Sequence, residues 1–481
     1  MKRDSVKVNF IFQLVYQFAL LILPLITSPI VTRALGDTGL GNYAYINSIA
    51  YYFLIVCNLG IAKYGQRLIA SNREDDTKLR KSFWSLFATH SAVSLLSITA
   101  YIFFVSLFVR DNVNIYWLNL LYIASAMFDV TWLFYGLENF KSVALKNLAI
   151  RIVCFIFILI FVKTKSDLWI YALVQFGSIL LGNLALFPFV FKNIKPVKFS
   201  FKECLVHFKP MLVLFVSVLA VTLYTVFDKT LLGILTTKEN VAYYEYANKI
   251  IDIPKAFIVI IGTVMFPKAC AAANRSDIIT QKKYANYSYM MVAFIAFGSI
   301  FGLLGIGKLF AEVYYGRDFV ESGNVILMLC PIILTVGLGD VVRSLFLIPQ
   351  KKDTIYVISI CLNAALNLLL SYLLIPVIGI GGAVVGTIAA DAFGLIFQSI
   401  VCRKYIEFKN VFKPIFIYLV CGVLAFGIMR TIDVIAAPKQ IILLIKFFVG
   451  FLSYTILSGV LTVFFFPELS GKILVFAKRK K

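Results

Sequence analysis

The residues of this chain with the clearest chemical potential are acidic and basic side chains inside long apolar stretches. A charge near the centre of a bilayer costs at least ~2.5 to 3.5 kcal/mol, so each such group must face protein or water. Cations at that depth can hold an anionic group, and carboxylates can take up a proton or a small cation. The deep cations are Arg151, Lys229, Lys249, Lys255 and Arg343, and the deep carboxylates are Asp129, Asp228, Asp252 and Asp391.

The same charges admit a second interpretation, in which they neutralise one another. Pairs of opposite charge that stand three or four residues apart lie on one face of a helix. Such pairs are Asp252 with Lys255, Asp340 with Arg343, and Glu245 with Lys249. For any single residue both interpretations stay open, whereas the set as a whole favours a water-filled cavity.

Catalytic and metal chemistry find little support. The chain has only two histidines, His90 and His207, and its eight cysteines contain no CxxC pair. It therefore offers few ligands for zinc and few residues for a catalytic triad. The stretch from Gly302 to Lys308 has the GxxxxGK spacing of a phosphate-binding loop. However, Leu309 stands where serine or threonine should bind magnesium, and no strand precedes the stretch. We predict no catalytic residue, no metal and no ATP site.

Membrane-spanning helices are the elements that must position the deep charges. The sequence is 61% hydrophobic and only 15% charged, with a mean hydropathy of +0.90, more apolar surface than one soluble core can bury. Apolar runs of roughly 20 residues recur along the chain, each long enough to cross ~30 Å of hydrocarbon. We therefore predict an all-α polytopic membrane protein of about fourteen transmembrane helices.

The distribution of positive charge sets the predicted topology. A net charge of +22 would suit nucleic acid, but Lys and Arg lie mainly in short, alternate loops. This is the pattern that orients membrane proteins, so it predicts both termini in the cytoplasm and no nucleic-acid partner. No loop is long enough to hold a folded soluble domain.

Two short patterns occur twice, in the same order. The pattern YxYxNxI begins at Tyr43 and again at Tyr244, each time after a Leu-Gly pair. An Asp-Val pair with a lysine twelve residues after the aspartate begins at Asp129 and again at Asp340. An even number of helices between the copies indicates a parallel repeat, the arrangement that places a substrate site between two lobes.

The repeat predicts three regions. Residues 1–200 would form an N-terminal six-helix lobe and residues 201–405 a second such lobe. Residues 406–481 would add two further transmembrane helices and a basic cytoplasmic tail. Within these helices, Gly298 with Gly302 and Gly382 with Gly386 form small-residue pairs that let neighbouring helices pack closely.

Four stretches carry a resemblance to a known family. They are SPIVTRALGDTGLGNYAYINSIA from Ser28, DVTWLFYGLENFKSVALKN from Asp129, LYTVFDKTLLGILTTKENVAYYEYANKI from Leu223 and IPVIGIGGAVVGTIAADAFG from Ile375. In these stretches the chain resembles oligosaccharide flippases of the Wzx type. Those proteins belong to the multidrug/oligosaccharidyl-lipid/polysaccharide (MOP) exporter superfamily.

The resemblance implies a function in the bacterial inner membrane. It implies transport of undecaprenyl-diphosphate-linked repeat units of O-antigen or capsule from the cytoplasmic to the periplasmic leaflet by alternating access. A polysaccharide polymerase and a chain-length regulator are the partners that it implies. No cofactor is expected. Without an ATP site, the driving force would be the membrane potential or a proton or sodium gradient acting through the deep carboxylates.

Three other functions stay open. A lipid II flippase shares the expected mechanism. A drug/cation antiporter of the same superfamily would favour a site with net negative charge, whereas the deep cations and carboxylates here are about equal in number. A membrane polysaccharide polymerase or ligase, which belongs to a different class, usually carries a large external loop that this sequence lacks.

Overall fold

The computed structural model describes residues 6–465, except for the side chains of residues 6–18, 20–21, 217, 220–221, 223–224 and 408–409. Over the described residues the secondary structure is helical and contains no strand, which confirms the all-α prediction. The predicted basic tail beyond residue 465 lies outside the described residues.

The helices of the first half alternate long and short elements. They are α1 Val6–Asn58, α2 Ile61–Asn72, α3 Asp76–Phe108, α4 Val113–Met127, α5 Thr131–Gly136, α6 Phe140–Phe161, α7 Leu168–Leu184, α8 Phe187–Asn193 and α9 Phe201–Leu235. The backbone of α1 is broken at Gly36, whose φ of 71° and ψ of 176° are not helical. Because such positive φ values suit glycine, Gly36 separates two helices of α1.

The described part of the second half contains six α-helices of 22 or more residues and two shorter ones. They are α10 Lys238–Asn274, α11 Ile278–Phe310, α12 Val320–Leu329, α13 Ile332–Val342, α14 Asp353–Ile378, α15 Ile380–Val401, α16 Phe408–Thr431 and α17 Lys439–Phe465. Pro331 lies between α12 and α13, where the chain bends by 44°. Proline cannot continue the hydrogen-bond ladder of a helix, which accounts for the bend.

The structure contains many candidate membrane spans, but the predicted number of fourteen is not confirmed. Among the described residues, eleven helical stretches are long and apolar enough to cross a membrane, and the bent pair at Pro331 would make a twelfth. One of these candidates, Ile22–Asn72, runs through the break at Gly36, and α9 is not among them. The chain is thus a multi-pass membrane protein.

The contacts divide the chain into two compact units, one ending at Ala242 and the other beginning at Tyr243. In the first unit, a core around Trp132, Phe83 and Met211 joins α2, α3, α5 and α9. In the second unit, a core around Phe297, Tyr418 and Tyr454 joins α11, α16 and α17. The three-region division at residues 200 and 405 stays a prediction.

Small residues allow close helix packing at three of the four predicted positions. A methyl group at Gly382 would overlap the backbone of Leu374 and Ile375, and one at Gly386 would overlap Ser371. A methyl group at Gly298 would lie 2.6 Å from the Tyr454 ring. The prediction for Gly302 is wrong. A methyl group there meets no atom within 4 Å, because Gly302 lines an open cavity.

Candidate functional site

The predicted site residues of the first unit lie on α6, on α9 and between α4 and α5. Asp129 is half-buried where the helix breaks before α5, and its Oδ1 accepts a hydrogen bond from the Thr131 amide at 2.8 Å. One carboxylate oxygen therefore satisfies the first amide of α5, and a local bond of this kind favours a break in the helix. Arg151 is exposed on α6, next to the exposed side chains of Ile152 and Val153.

A cation that the sequence pattern does not single out lies near Asp129. Lys146 is half-buried on α6, its Nζ lies 3.8 Å from the Cβ position of Gly182 on α7, and it interacts electrostatically with Asp129. Lys146 lies in the second turn of α6, near a helix end where charges are ordinary, so its proximity to Asp129 becomes visible only in the folded protein.

On α9, Asp228 is buried with 2% exposure and Lys229 is half-buried. The next residue, Thr230, ties α9 to α1, because its hydroxyl lies 3.0 Å from the Ser48 hydroxyl and 2.9 Å from the Tyr52 hydroxyl. Buried hydroxyls of this kind need partners, since an unpaired polar group inside a protein costs free energy. The Asp228 carboxylate interacts electrostatically with Tyr52 of α1, so it lies beside polar groups between two helices rather than against hydrocarbon.

Three of the predicted site residues lie on α10, in the second unit. The Lys249 ammonium lies 3.9 Å from the centroid of the Tyr246 ring, within the range of a cation–π interaction. Asp252 and Lys255 form an ion pair with an N–O distance of 2.7 Å. The Asp252 side chain is 60% exposed, whereas the Lys255 side chain is 20% exposed. The predicted pairing of Asp252 with Lys255 is confirmed, but the pair is not buried.

Arg343 lies in a local ion pair with Asp340. Its Nη2 donates to Asp340 Oδ1 at 2.9 Å, and the Asp340 side chain is only 10% exposed. Ser344 Oγ contacts the same oxygen at 3.4 Å, and the other carboxylate oxygen packs against Gly262 of α10. A π-helical turn over Arg343–Leu347 continues α13 at this point; such turns are frequent at functional sites.

Asp391 belongs to a polar seam between α14 and α15. On α14 the seam contains side chains at every fourth residue: Ser359, Asn363, Asn367 and Ser371. Across it, the Gln398 amide donates to Ser359 Oγ at 2.8 Å, and Asn367 lies 3.3 Å from Thr387. Asn363 Oδ1 and Gln398 Oε1 are buried and accept no hydrogen bond from the described residues. Only Asp391 was predicted, although the four-residue spacing of the amides and serines was visible in the sequence.

An apolar cavity of about 380 Å³ lies among α10, α11, α16 and α17. Aliphatic and aromatic side chains, including Ile253, Phe294, Met429 and Phe451, form most of its wall. Lys446 is the charged side chain in this wall. It is buried with 4% exposure, donates to Asp433 Oδ1 and lies 3.4 Å from the Gly305 carbonyl.

The unpaired oxygens between α14 and α15 are suited to an ion, and the cavity among α10, α11, α16 and α17 is suited to an apolar chain. Of the predicted site residues, the structure pairs Asp252 with Lys255 and Arg343 with Asp340. Among the described residues, no group of three or more His, Cys, Asp or Glu side chains is placed to hold a metal ion.

The chain is similar to proteins of known families over most of its length. A family model described as polysaccharide biosynthesis protein matches residues 6–271. A protein of Shigella dysenteriae named "Putative O-antigen transporter" is 25% identical over 277 residues, which cover 57% of this chain and 68% of that protein. A protein of Escherichia coli K12 with the same name is 22% identical over 346 residues, which cover 70% and 82%.

Two solved structures share the fold. The lipid II flippase MurJ in an inward closed conformation superposes with a TM-score of 0.76 over 94% of this chain and 99% of that chain, at 16% identity. An inward-facing MATE family transporter of the MOP superfamily gives a TM-score of 0.60 over 81% and 94%, at 14% identity. At such identities the superposition shows the fold alone. The family match covers more than half of the sequence, so this chain belongs to the polysaccharide biosynthesis protein family, and its resemblance to Wzx-type members of the MOP superfamily is confirmed.

Proposed function

We propose that this protein is a flippase for lipid-linked oligosaccharides. It would move undecaprenyl-diphosphate-linked repeat units of O-antigen or capsule from the cytoplasmic to the periplasmic leaflet of the bacterial inner membrane. The names of both relatives support transport of O-antigen. A polymerase and a chain-length regulator of polysaccharide synthesis would act on the product as partners.

The observation that carries the proposal is the exposed ion pair on α10. Asp252 and Lys255 lie near the middle of the candidate span Lys238–Asn274, and the Asp252 side chain is 60% exposed. A charge exposed to hydrocarbon at that depth is costly, so the surface around it must meet water. Helix α10 therefore lines an aqueous space in which a sugar chain stays hydrated.

The chemistry of the cargo matches the charges along this helix. A diphosphate binds Lys and Arg through charge-assisted hydrogen bonds, and Lys249 and Lys255 lie about one and a half turns apart on α10. Arg343 is tied to α10 indirectly, since its partner Asp340 packs against Gly262. The prenyl tail stays in an apolar medium, either the lipid or the apolar cavity among α10, α11, α16 and α17.

Energy for transport would come from the membrane potential or from a proton or sodium gradient. Carboxylates that lie at depth, Asp129, Asp228, Asp252 and Asp391, are the residues that we propose for ion coupling. Near Asp391, the buried oxygens Asn363 Oδ1 and Gln398 Oε1 are ligands that a hard cation prefers. A flipping assay in proteoliposomes tests this step, because rates indifferent to both proton and sodium gradients would remove ion coupling from the mechanism.

A complementation experiment tests the function and the site together. In a strain whose own flippase gene is deleted, the wild-type chain should restore surface polysaccharide. Removal of one charged hydrogen bond to the cargo weakens binding by ~1.5 to 3 kcal/mol, about 10- to 100-fold. We therefore expect Lys255→Ala, Arg151→Ala and Lys229→Ala each to reduce polysaccharide display, and we expect Asp391→Ala to reduce it through loss of ion coupling. Lys163→Ala, at an exposed loop lysine, should leave display unchanged.

Each outcome of that experiment has a distinct meaning. If all four variants insert normally and still support display, the site assignment is wrong. If loss of the protein abolishes viability rather than polysaccharide display, the cargo is lipid II and the proposed substrate is wrong.

The numbers of cations and carboxylates are about equal at depth, which supports an anionic cargo with a counter-ion more than a cationic drug.

A further inference from the structure

The short segment between α8 and α9, together with the first turns of α9, has three chemically distinct sides. At 100° per residue, Phe201, Leu205 and Phe208 form one stripe of α9, and all three side chains are exposed. Lys202 and Lys209 form a second stripe about 90° away, and both are exposed. An apolar stripe bordered by lysines is typical of a helix at a membrane surface.

The third side of the segment is fastened to the rest of the first unit. His207 bridges two helices, because its Nδ1 lies 2.8 Å from the Tyr64 hydroxyl of α2 and its Nε2 lies 2.9 Å from the Ser85 hydroxyl of α3. Glu203 Oε1 forms an ion pair with the Lys81 Nζ atom at 2.6 Å. These contacts fix the rotation of α9, so the apolar and lysine stripes point outward in a defined orientation.

The connection into α9 is held in the same way. The indole Nε1 of Trp84 donates to the Lys195 carbonyl at 3.1 Å, and Ile194 is buried with 2% exposure. The basic side chains around this anchor project outward and are all exposed: Lys192, Lys195, Lys198, Lys202 and Lys209. Within the described part of the chain, none of these five lysines forms an ion pair. Glu203 is the only acidic residue from residue 192 to residue 209, and it forms an ion pair with Lys81.

We propose that this basic surface, defined by Lys192, Lys195, Lys198, Lys202 and Lys209, binds the headgroups of anionic phospholipids in the cytoplasmic leaflet. The loop between α8 and α9 is among the lysine-rich loops that the charge distribution assigns to the cytoplasm. Anionic headgroups attract lysines near the bilayer surface over about a Debye length. The adjacent Phe201, Leu205 and Phe208 enter the hydrocarbon and keep the lysines at headgroup depth.

The surface is independent of the transported cargo, since it involves neither the charges on α10 nor Arg343. Its expected role is to hold the cytoplasmic end of α9 at the lipid interface, next to α2 and α3. Enrichment of anionic lipid around this end of the first unit is the measurable consequence.

Fluorescence quenching by brominated lipids tests the proposal on the full-length protein. In a Trp117→Phe/Trp169→Phe background, the half-buried Trp84 reports on the basic surface, while Trp132 is buried with 1% exposure. The protein is reconstituted in phosphatidylcholine vesicles that contain an equal fraction of brominated phosphatidylglycerol or brominated phosphatidylcholine. We expect quenching by the phosphatidylglycerol to be at least about 2-fold stronger, and 500 mM NaCl to reduce the excess.

Matched variants identify the residues responsible. Lys202→Gln/Lys209→Gln should bring the quenching ratio close to 1, whereas Lys202→Arg/Lys209→Arg should keep it, because arginine preserves the charge. Lys163→Gln/Lys165→Gln removes the same charge from an exposed loop elsewhere in the first unit and should leave the ratio unchanged. A ratio near 1 in the parent, or a ratio that the Lys202→Gln/Lys209→Gln variant does not lower, would overturn the proposal.

Discussion

The ion pair of Asp340 and Arg343 allows the two interpretations of the deep charges to be separated. If the pair is structural, Arg343 neutralises the Asp340 carboxylate and contributes mainly to stability. If Arg343 holds the diphosphate of the cargo, it contributes mainly to transport. The perturbations are Arg343→Met, Asp340→Leu and the double substitution, each of which keeps an apolar side chain of similar length or volume.

The expected magnitudes follow from the geometry. At an N–O distance of 2.9 Å and an effective dielectric constant of ~20, the gross attraction is ~6 kcal/mol, most of which is offset by desolvation. Removal of Arg343 alone leaves the Asp340 carboxylate, 10% exposed, without its cation. Breaking a buried pair in this way costs ~3 to 5 kcal/mol. Because the Arg343 side chain is 29% exposed, water screens part of this loss, and we expect the lower end of the range.

The double substitution should recover most of that loss. Replacing both members of a buried pair by apolar residues is often close to neutral, so we expect the double variant to lie within ~1 kcal/mol of the wild type. The coupling free energy from the double-mutant cycle should then be at least ~2 kcal/mol. Ser344 and Gly262 contact the same carboxylate, so neither position should be changed in this cycle.

The assay combines unfolding in detergent with flipping in proteoliposomes for each of the four proteins. A structural pair predicts that the double variant regains both stability and transport. A cargo-binding Arg343 predicts that the double variant is stable but inactive. A coupling free energy close to zero would refute the reasoning, because it would mean that the two side chains do not stabilise each other.

Three further predictions concern stability. Gly382→Ala should destabilise the α14–α15 hairpin by ~1 to 3 kcal/mol, because the added methyl group meets backbone that cannot move aside. Gly302→Ala adds the same group in open space and should leave the unfolding midpoint unchanged. An equal loss of stability in both variants would contradict this account. Thr230→Val should lower stability by ~1 to 3 kcal/mol in the same assay, since the buried Ser48 hydroxyl and the half-buried Tyr52 hydroxyl of α1 lose their shared partner. Unaltered stability would show that water replaces the threonine. The Asp75 carboxylate accepts hydrogen bonds from backbone amides at the start of α3, which lowers its pKa below the usual 3.8. Its stabilisation of α3 is therefore present above pH 3.8 and is lost as the pH falls through the lowered pKa. Protection of the first amides of α3 from hydrogen exchange should fall only at strongly acidic pH, and a loss of protection already above pH 3.8 would be inconsistent with the lowered pKa.

Much of the fold follows from the sequence because its signals are local. Runs of apolar residues must form helices in a bilayer, since no water is present to satisfy the backbone. The Leu-Gly pair at Gly36 and the proline at Pro331 mark breaks that the structure contains, because positive φ angles and a missing amide are properties of single residues. The pairing of Asp252 with Lys255 and of Asp340 with Arg343 is also local, since it depends only on helical spacing.

The tertiary structure decided which of these residues are accessible and which neighbours they have. Sequence spacing does not distinguish the 60% exposed Asp252 from the 10% exposed Asp340, because exposure depends on what other helices cover. Folding also brings together residues that are distant in the chain. Examples are Lys146 near Asp129, Lys446 at the apolar cavity, and His207 between Tyr64 and Ser85. Gly302 shows the same limit, since a small residue permits close packing but only the position of the neighbouring helix determines whether it occurs.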